Sequence, residues 1–196
     1  MPDHELSINP EERLFQSSTS DWRRNAMLTS RWSSGVGYAM SFKEAGDMLV
    51  KRGIEEQLQD LVFFPALYCY RHSLELSMKD IFHRWEKMQT FWPEVLKTHD
   101  LEVVWGWTRR VLEAAWPEGD TSELDAMESI VLQLAEVDPG GEQFRYDIDR
   151  HGQTRELPAQ LARVDLVHVA AIMDKLLSLL WGGEAGIDAM DPGSIF

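Results

Sequence analysis

Apolar residues recur three and four positions apart along most of the chain, the spacing of one face of a helix. The longest stripe, Leu67, Leu74, Met78, Ile81 and Trp85, belongs to a helix that Pro65 is placed to open and Trp92-Pro93 to close. Before it, Tyr38, Phe42, Ala45 and Leu49 predict a helix from Tyr38 to Arg52, with Gly53 as its stop. After it, a third helix is expected over Leu101–Ala115, with Asp100 as its cap, Leu101, Val104, Trp105, Thr108, Leu112 and Ala115 inward, and Pro117 and Gly119 at its end. Ser122 with Asp125 has the form of a capping box for a fourth helix, whose stripe Leu124, Met127, Val131 and Leu134 runs to Asp138-Pro139-Gly140-Gly141. Phe144-Arg145-Tyr146 then begins an irregular excursion through Gly152. Pro158 is placed to open a last helix striped by Leu166, Val169, Met173, Leu176 and Leu180, and Gly182-Gly183 to end it.

Each stripe can be buried only against another helix, and no run of alternating residues supports a sheet. The fold class expected is therefore all-α, an up-and-down bundle of about five helices over residues 36–183. Residues 1–35 read as an irregular arm that docks through Trp22 and Trp32, and residues 184–196 as a tail.

Arg71 breaks the longest stripe, standing where a core residue is expected. A guanidinium stripped of water costs several kcal/mol unless carboxylates or carbonyls converge on it. Glu75, one turn on, is the nearest partner, and with His72 and Lys79 it makes a polar cluster inside core-like sequence. The turn at His99 and Asp100 is the next source of partners; with Arg145 it would complete one polar pocket of Arg71, His72, Glu75, His99, Asp100 and Arg145. The plain alternative is an internal ion pair that fixes helix packing, with Asp100 a simple N-cap. His72, Glu75, His99 and Asp100 also offer nitrogen and oxygen donors, but no further helix brings a His or carboxylate pair, so neither a metal nor a cofactor is expected.

Composition narrows the class. With 196 residues, 44% of them hydrophobic, and eight Trp, one domain with an aromatic-rich core is expected. The single cysteine, Cys69, reads as a small buried hydrophobe and excludes an intrachain disulfide, which fits a reducing cytoplasm. No uncharged apolar run reaches 18 residues and the acidic N-terminus is unlike a secretory signal, so a cytoplasmic protein with no membrane partner is expected. A net charge of -14 argues against a general nucleic-acid coat. The charge is uneven: residues 1–110 hold 14 basic and 16 acidic side chains, residues 111–196 hold 5 and 17. Any polyanion would meet the first part, and the acidic part suits a basic partner or simple solubility.

The order Tyr70-Arg71-His72-Ser73-Leu74-Glu75-Leu76, then Thr98-His99-Asp100-Leu101, then Phe144-Arg145-Tyr146 with Asp149 and Gly152, resembles bacterial proteins of the HEPN superfamily over residues 36–183. The resemblance implies a helical bundle, often a homodimer, that binds, senses or cleaves RNA in a stress, toxin-antitoxin or phage-defence setting. Its alternative implication is a non-catalytic interaction module with a protein partner, such as a companion of a nucleotidyltransferase. If the chain is an enzyme, the resemblance implies a metal-independent endoribonuclease using an Arg and a His four to six residues apart. Arg163 and His168 match that spacing, with Val164 and Ala170 departing from the residues frequent in the family; Arg145 and His151 match it by count in the excursion. Such a His would move the 2'-hydroxyl proton while the Arg steadies the phosphorane. Chance alone supplies about one such spacing in a chain of this composition. On an unbroken helix, residues five apart point about 140° from each other, so this pair would need a distorted helix or a second subunit.

Overall fold

The computed structural model describes residues 14–15, 18–26, 35–89, 97–149, 151–154 and 156–190. Helices α1 (Gly35–Glu56), α2 (Gln59–Gln89), α3 (Leu101–Ala115), α4 (Ser122–Val137) and α5 (Leu166–Met190) make the all-α bundle expected. Short 3₁₀ turns at Trp22–Arg24 and Ala159–Leu161 accompany them. Among the described residues there is no strand, only an isolated bridge between Ile148 and Thr154 in the excursion. The central element is α2, which packs on α1, α3 and α5. Its Leu74, Met78 and Ile81 are buried with Leu101 and Trp105 of α3, Val131 of α4, and Leu177, Leu180 and Ile187 of α5.

Several expected helix ends move, for one recurring reason. α1 runs through Gly53 to Glu56, and the tight turn falls instead at Gln57, whose φ is +58°. Gly53 is buried: a Cβ there would sit 2.5 Å from Val62 of α2, and one on Gly46 would meet the Tyr70 ring at 2.8 Å. These glycines thin α1 so that α2 can approach. The pair Gly182-Gly183 likewise does not end α5, which continues to Met190 with Glu184 and Ile187 buried, so residues 184–190 belong to the bundle and are no tail. A Cβ on Gly183 would touch Leu112 at 3.0 Å and one on Gly186 the Trp116 ring at 2.7 Å. Here α5 closes on α3.

Proline and cap expectations are corrected too. α2 opens at Gln59, and Pro65 lies inside it on an exposed face, where water can satisfy the carbonyl left without a donor. Trp92-Pro93 lie outside the described residues. Pro158 precedes only the short Ala159–Leu161 turn; α5 opens at Leu166, where the Asp165 carboxylate accepts from the backbone of Val167 and His168 at 2.9 and 3.1 Å. The Ser122–Asp125 capping box does not form. Instead Asp120 accepts from Ser122 N and Oγ. Asp100 does cap α3, accepting from Glu102 N and Val103 N, the role the sequence suggests. In the arm Trp22 is 73% exposed and does not dock, while Trp32 lies outside the described residues. Cys69 is half-buried, and burial pushes its thiol pKa up.

Candidate functional site

Arg71 is buried, with 2% of its surface exposed, and the fold surrounds it with acceptors from three places. From its own helix, Glu75 Oε2 accepts from Nη1 at 2.9 Å. From the turn before α3, the His99 carbonyl accepts from Nη2 at 2.6 Å. From the turn after α4, the Asp138 carbonyl accepts from Nε at 3.1 Å and the Pro139 carbonyl from Nη2 at 3.4 Å, while Asp138 Oδ2 stands 3.1 Å from Nε. One side of the guanidinium is covered by Gly141, whose φ is +74° and where a Cβ would lie 2.8 Å from Nη1. Only glycine accommodates both the backbone angle and that approach. Arg71 thus ties α2 to the two connections flanking the α3–α4 pair.

Glu75 carries the cluster toward the surface. Its Oε1 accepts from Lys79 at 2.7 Å and lies 2.8 Å from His99 Nδ1. Burial alone would raise its pKa, but the hydrogen bonds from Lys79, His99 and Arg71 and the Lys79 charge outweigh burial and hold it below the usual carboxylate value. An ionised carboxylate can only accept, so Nδ1 of His99 donates to it. The His99 side chain is 64% exposed, so this is a carboxylate-anchored imidazole open to solvent.

Beside it runs a continuous path of rings. Tyr38 meets Phe42 edge-on at 5.4 Å, Phe42 meets His72 at 4.4 Å, and His72 stacks on Tyr68 at 5.7 Å and 9°. The Arg145 guanidinium then lies 5.8 Å from the Tyr68 ring and 5.4 Å from Tyr146. Burial first, with the Arg71, Arg145 and His99 charges, pushes the His72 pKa down against the pull of Glu75, so this imidazole is neutral at pH 7. Tyr38 and Tyr146 are about half exposed, at 46% and 54%. Arg145 joins the two features, because its Nε donates to the Gly141 carbonyl whose backbone covers Arg71.

The structure therefore brings Arg71, Glu75 and His99 into direct contact and places His72 and Arg145 on the adjoining ring path. The Asp100 side chain turns away to its cap. Asp138 is the partner that sequence reading missed: Asp138-Pro139-Gly140-Gly141 signals a helix stop, and only the closed fold shows that its first residue is 1% exposed and faces Arg71. Arg163 and His168 are not on one helix. Arg163 is exposed in the turn before α5 and His168 sits in the first turn, so the objection from helix geometry no longer applies, yet no hydrogen bond or ion pair joins them among the described residues. His168 instead borders an apolar cleft of about 300 Å³ with Leu67, Leu134, Phe144 and Ile172. His151 is exposed in the excursion.

Two further arginine clusters were not singled out in the sequence. Arg84 of α2 pairs with Asp80 at 3.0 Å, Glu184 at 2.6 Å, and Asp188, locking the end of α5 to α2. Burial foremost, then the Asp80 charge, pushes Glu184 up to about 7 despite Arg84. Arg109 of α3 pairs with Glu113 and with Asp125 and Glu128 of α4. No group of three or more His, Cys, Asp or Glu suited to a metal ion occurs among the described residues.

No family model, curated protein or solved structure matches this chain.

Proposed function

We propose that the chain is a HEPN-like protein that binds single-stranded RNA across the ring path of α1, α2 and the excursion. The observation that carries this reading is the unbroken sequence of Tyr38, Phe42, His72, Tyr68, Arg145 and Tyr146, with a cation over two of its rings. Stacking of bases on such rings tolerates any sequence, and Arg adds both a flat face and a charge for phosphate. Four of the six residues lie in the less acidic part of the chain, where residues 1–110 carry a balance of only -2. Binding rather than cleavage is the favoured activity, since no hydrogen bond or ion pair joins Arg163 and His168 among the described residues and Arg71 is fully engaged in holding the fold.

The test is anisotropy of a labelled 12-nucleotide RNA at two salt concentrations. Arg145→Ala and Tyr146→Ala should each weaken binding by roughly 10-fold, with affinity falling as salt rises. Equal affinity of both variants and the native chain ends the proposal. Incubation of total RNA in EDTA should leave it intact; cleavage lost in His168→Ala or His99→Ala would make the chain a metal-independent nuclease.

The second reading, a non-catalytic interaction module or homodimer, is favoured by α5. Its most apolar 18-residue stretch has a mean hydropathy of 1.4 yet is only 28% buried. By length and composition alone it could also cross a bilayer.

A further inference from the structure

We infer that the cleft between the α3–α4 connection and α5 receives a basic amphipathic segment of another protein. This inference stands apart from the RNA reading, on a different set of helices. The cleft has a volume of about 440 Å³, room for a few apolar side chains, and its floor is Leu112, Trp116, Met127 and Leu179. Its α5 wall carries Ser178 and Gly182, so a second backbone can come close; a Cβ on Gly182 would meet nothing within 4 Å.

Charge selects the occupant. Glu113, Asp120 and Glu123 border the cleft, and among the described residues no Lys or Arg lines it. Arg109 engages Glu113, whereas among the described residues Asp120 is bonded to the neutral Ser122, whose backbone N–H and hydroxyl hold its pKa below the usual value. The surrounding part of the chain, residues 111–196, has a balance of -12. An apolar floor inside a carboxylate rim fits a segment with apolar anchors at i, i+3 or i+4 and Lys or Arg beside them. A second copy of this chain is the poorer occupant, since it brings the same excess of acid.

The probe is a synthetic 16-residue helical Leu/Lys peptide with one apolar face, titrated calorimetrically into the full chain. A scrambled peptide of the same composition, lacking that face, is the control. Gly182→Phe fills the cleft from an exposed, unobstructed position, and Glu123→Lys reverses one rim charge. Glu55→Lys makes the same charge change on α1. The amphipathic peptide should bind at least 10-fold more tightly than the scrambled one, and Gly182→Phe and Glu123→Lys should each weaken it at least 10-fold while Glu55→Lys changes it less than 2-fold. No binding, equal binding of both peptides, or equal effects of Glu55→Lys and Glu123→Lys overturns the inference. So does a native dimer by sedimentation that Gly182→Phe dissociates, which would give the cleft to a second copy.

Discussion

Replacing Gly141 by Ala isolates the contribution of the chain segment lying over the Arg71 guanidinium. Two costs enter. The left-handed backbone, at φ +74°, costs an alanine about 1–2 kcal/mol. A loss of roughly 0.4–1 kcal/mol of unfolded-chain freedom partly offsets it. The new Cβ would also stand 2.8 Å from Nη1 and 3.0 Å from Cζ of Arg71, so the guanidinium must shift and weaken a buried, charged hydrogen bond, about 1.5–3 kcal/mol. Gly152 supplies the control, because its φ is +77° and nothing lies within 4 Å of its Cβ position. Gly152→Ala should therefore lose about 1 kcal/mol and Gly141→Ala about 3. Gly140→Ala, with open space and no positive φ, should be neutral or slightly stabilising. Urea unfolding resolves this: with a slope of roughly 2 kcal/mol per molar, the first two midpoints differ by about 1 M. Equal losses at 141 and 152 would mean that the guanidinium gives way freely, and the account of a tightly enclosed charge would be wrong.

Arg71→Met should lose about 3–5 kcal/mol in the same assay, because Asp138 is left buried without its cation and Glu75 keeps only Lys79 and His99; a loss under 1 kcal/mol would show that water replaces it. Stability should also peak between two carboxylates. Glu75, held low, contributes stability present above its ordinary value near 4.5 and lost as pH falls below it. Glu184, raised to about 7, binds its proton more tightly in the fold, so stability declines as pH rises from about 4.5 through 7. Thermal unfolding of Glu184→Gln should show a flatter decline between pH 5 and 7; an unchanged slope rejects the assignment. On α5, Gly186→Ala should cost about 1–3 kcal/mol by pressing on Trp116, whereas Gly182→Ala should add up to about 1 kcal/mol of helix stability. Melting temperatures that move together would refute the close approach of α5 to Trp116.

The helical periodicity of Leu67 to Trp85 and of Leu101 to Ala115 was legible because each stripe is local, and the intrusion of Arg71 showed at once that a charge would be enclosed. Glu75 was legible for the same reason, lying one turn away. The Asp138 contact was not: it joins residues 67 apart, and nothing in a stop turn distinguishes an acid that faces water from one that faces a guanidinium. Glycine was misread at 53 and 183 because the lack of a side chain serves equally to end a helix and to let a neighbour approach, and only the neighbour, Val62 or Leu112, decides; Gly182 faces open space and is simply carried along inside α5. Pro65 was misread because an exposed carbonyl can turn to water. The arginines at 84 and 109 look in sequence like ordinary solvated charges; their partners on α5 and α4 become visible only once those helices dock.

The dispersion of Arg71's acceptors along the chain carries an expectation about how the fold assembles. These acceptors lie at positions 75, 99, 138 and 139, so contacts within α2 alone leave the cation without most of them. Full dehydration of the guanidinium requires both distant turns, so partly assembled chains are expected to leave it hydrated. A chain with Met in its place should close prematurely and populate a collapsed intermediate at moderate urea, visible as disagreement between tryptophan fluorescence and circular dichroism transitions; coincident transitions would refute this expectation.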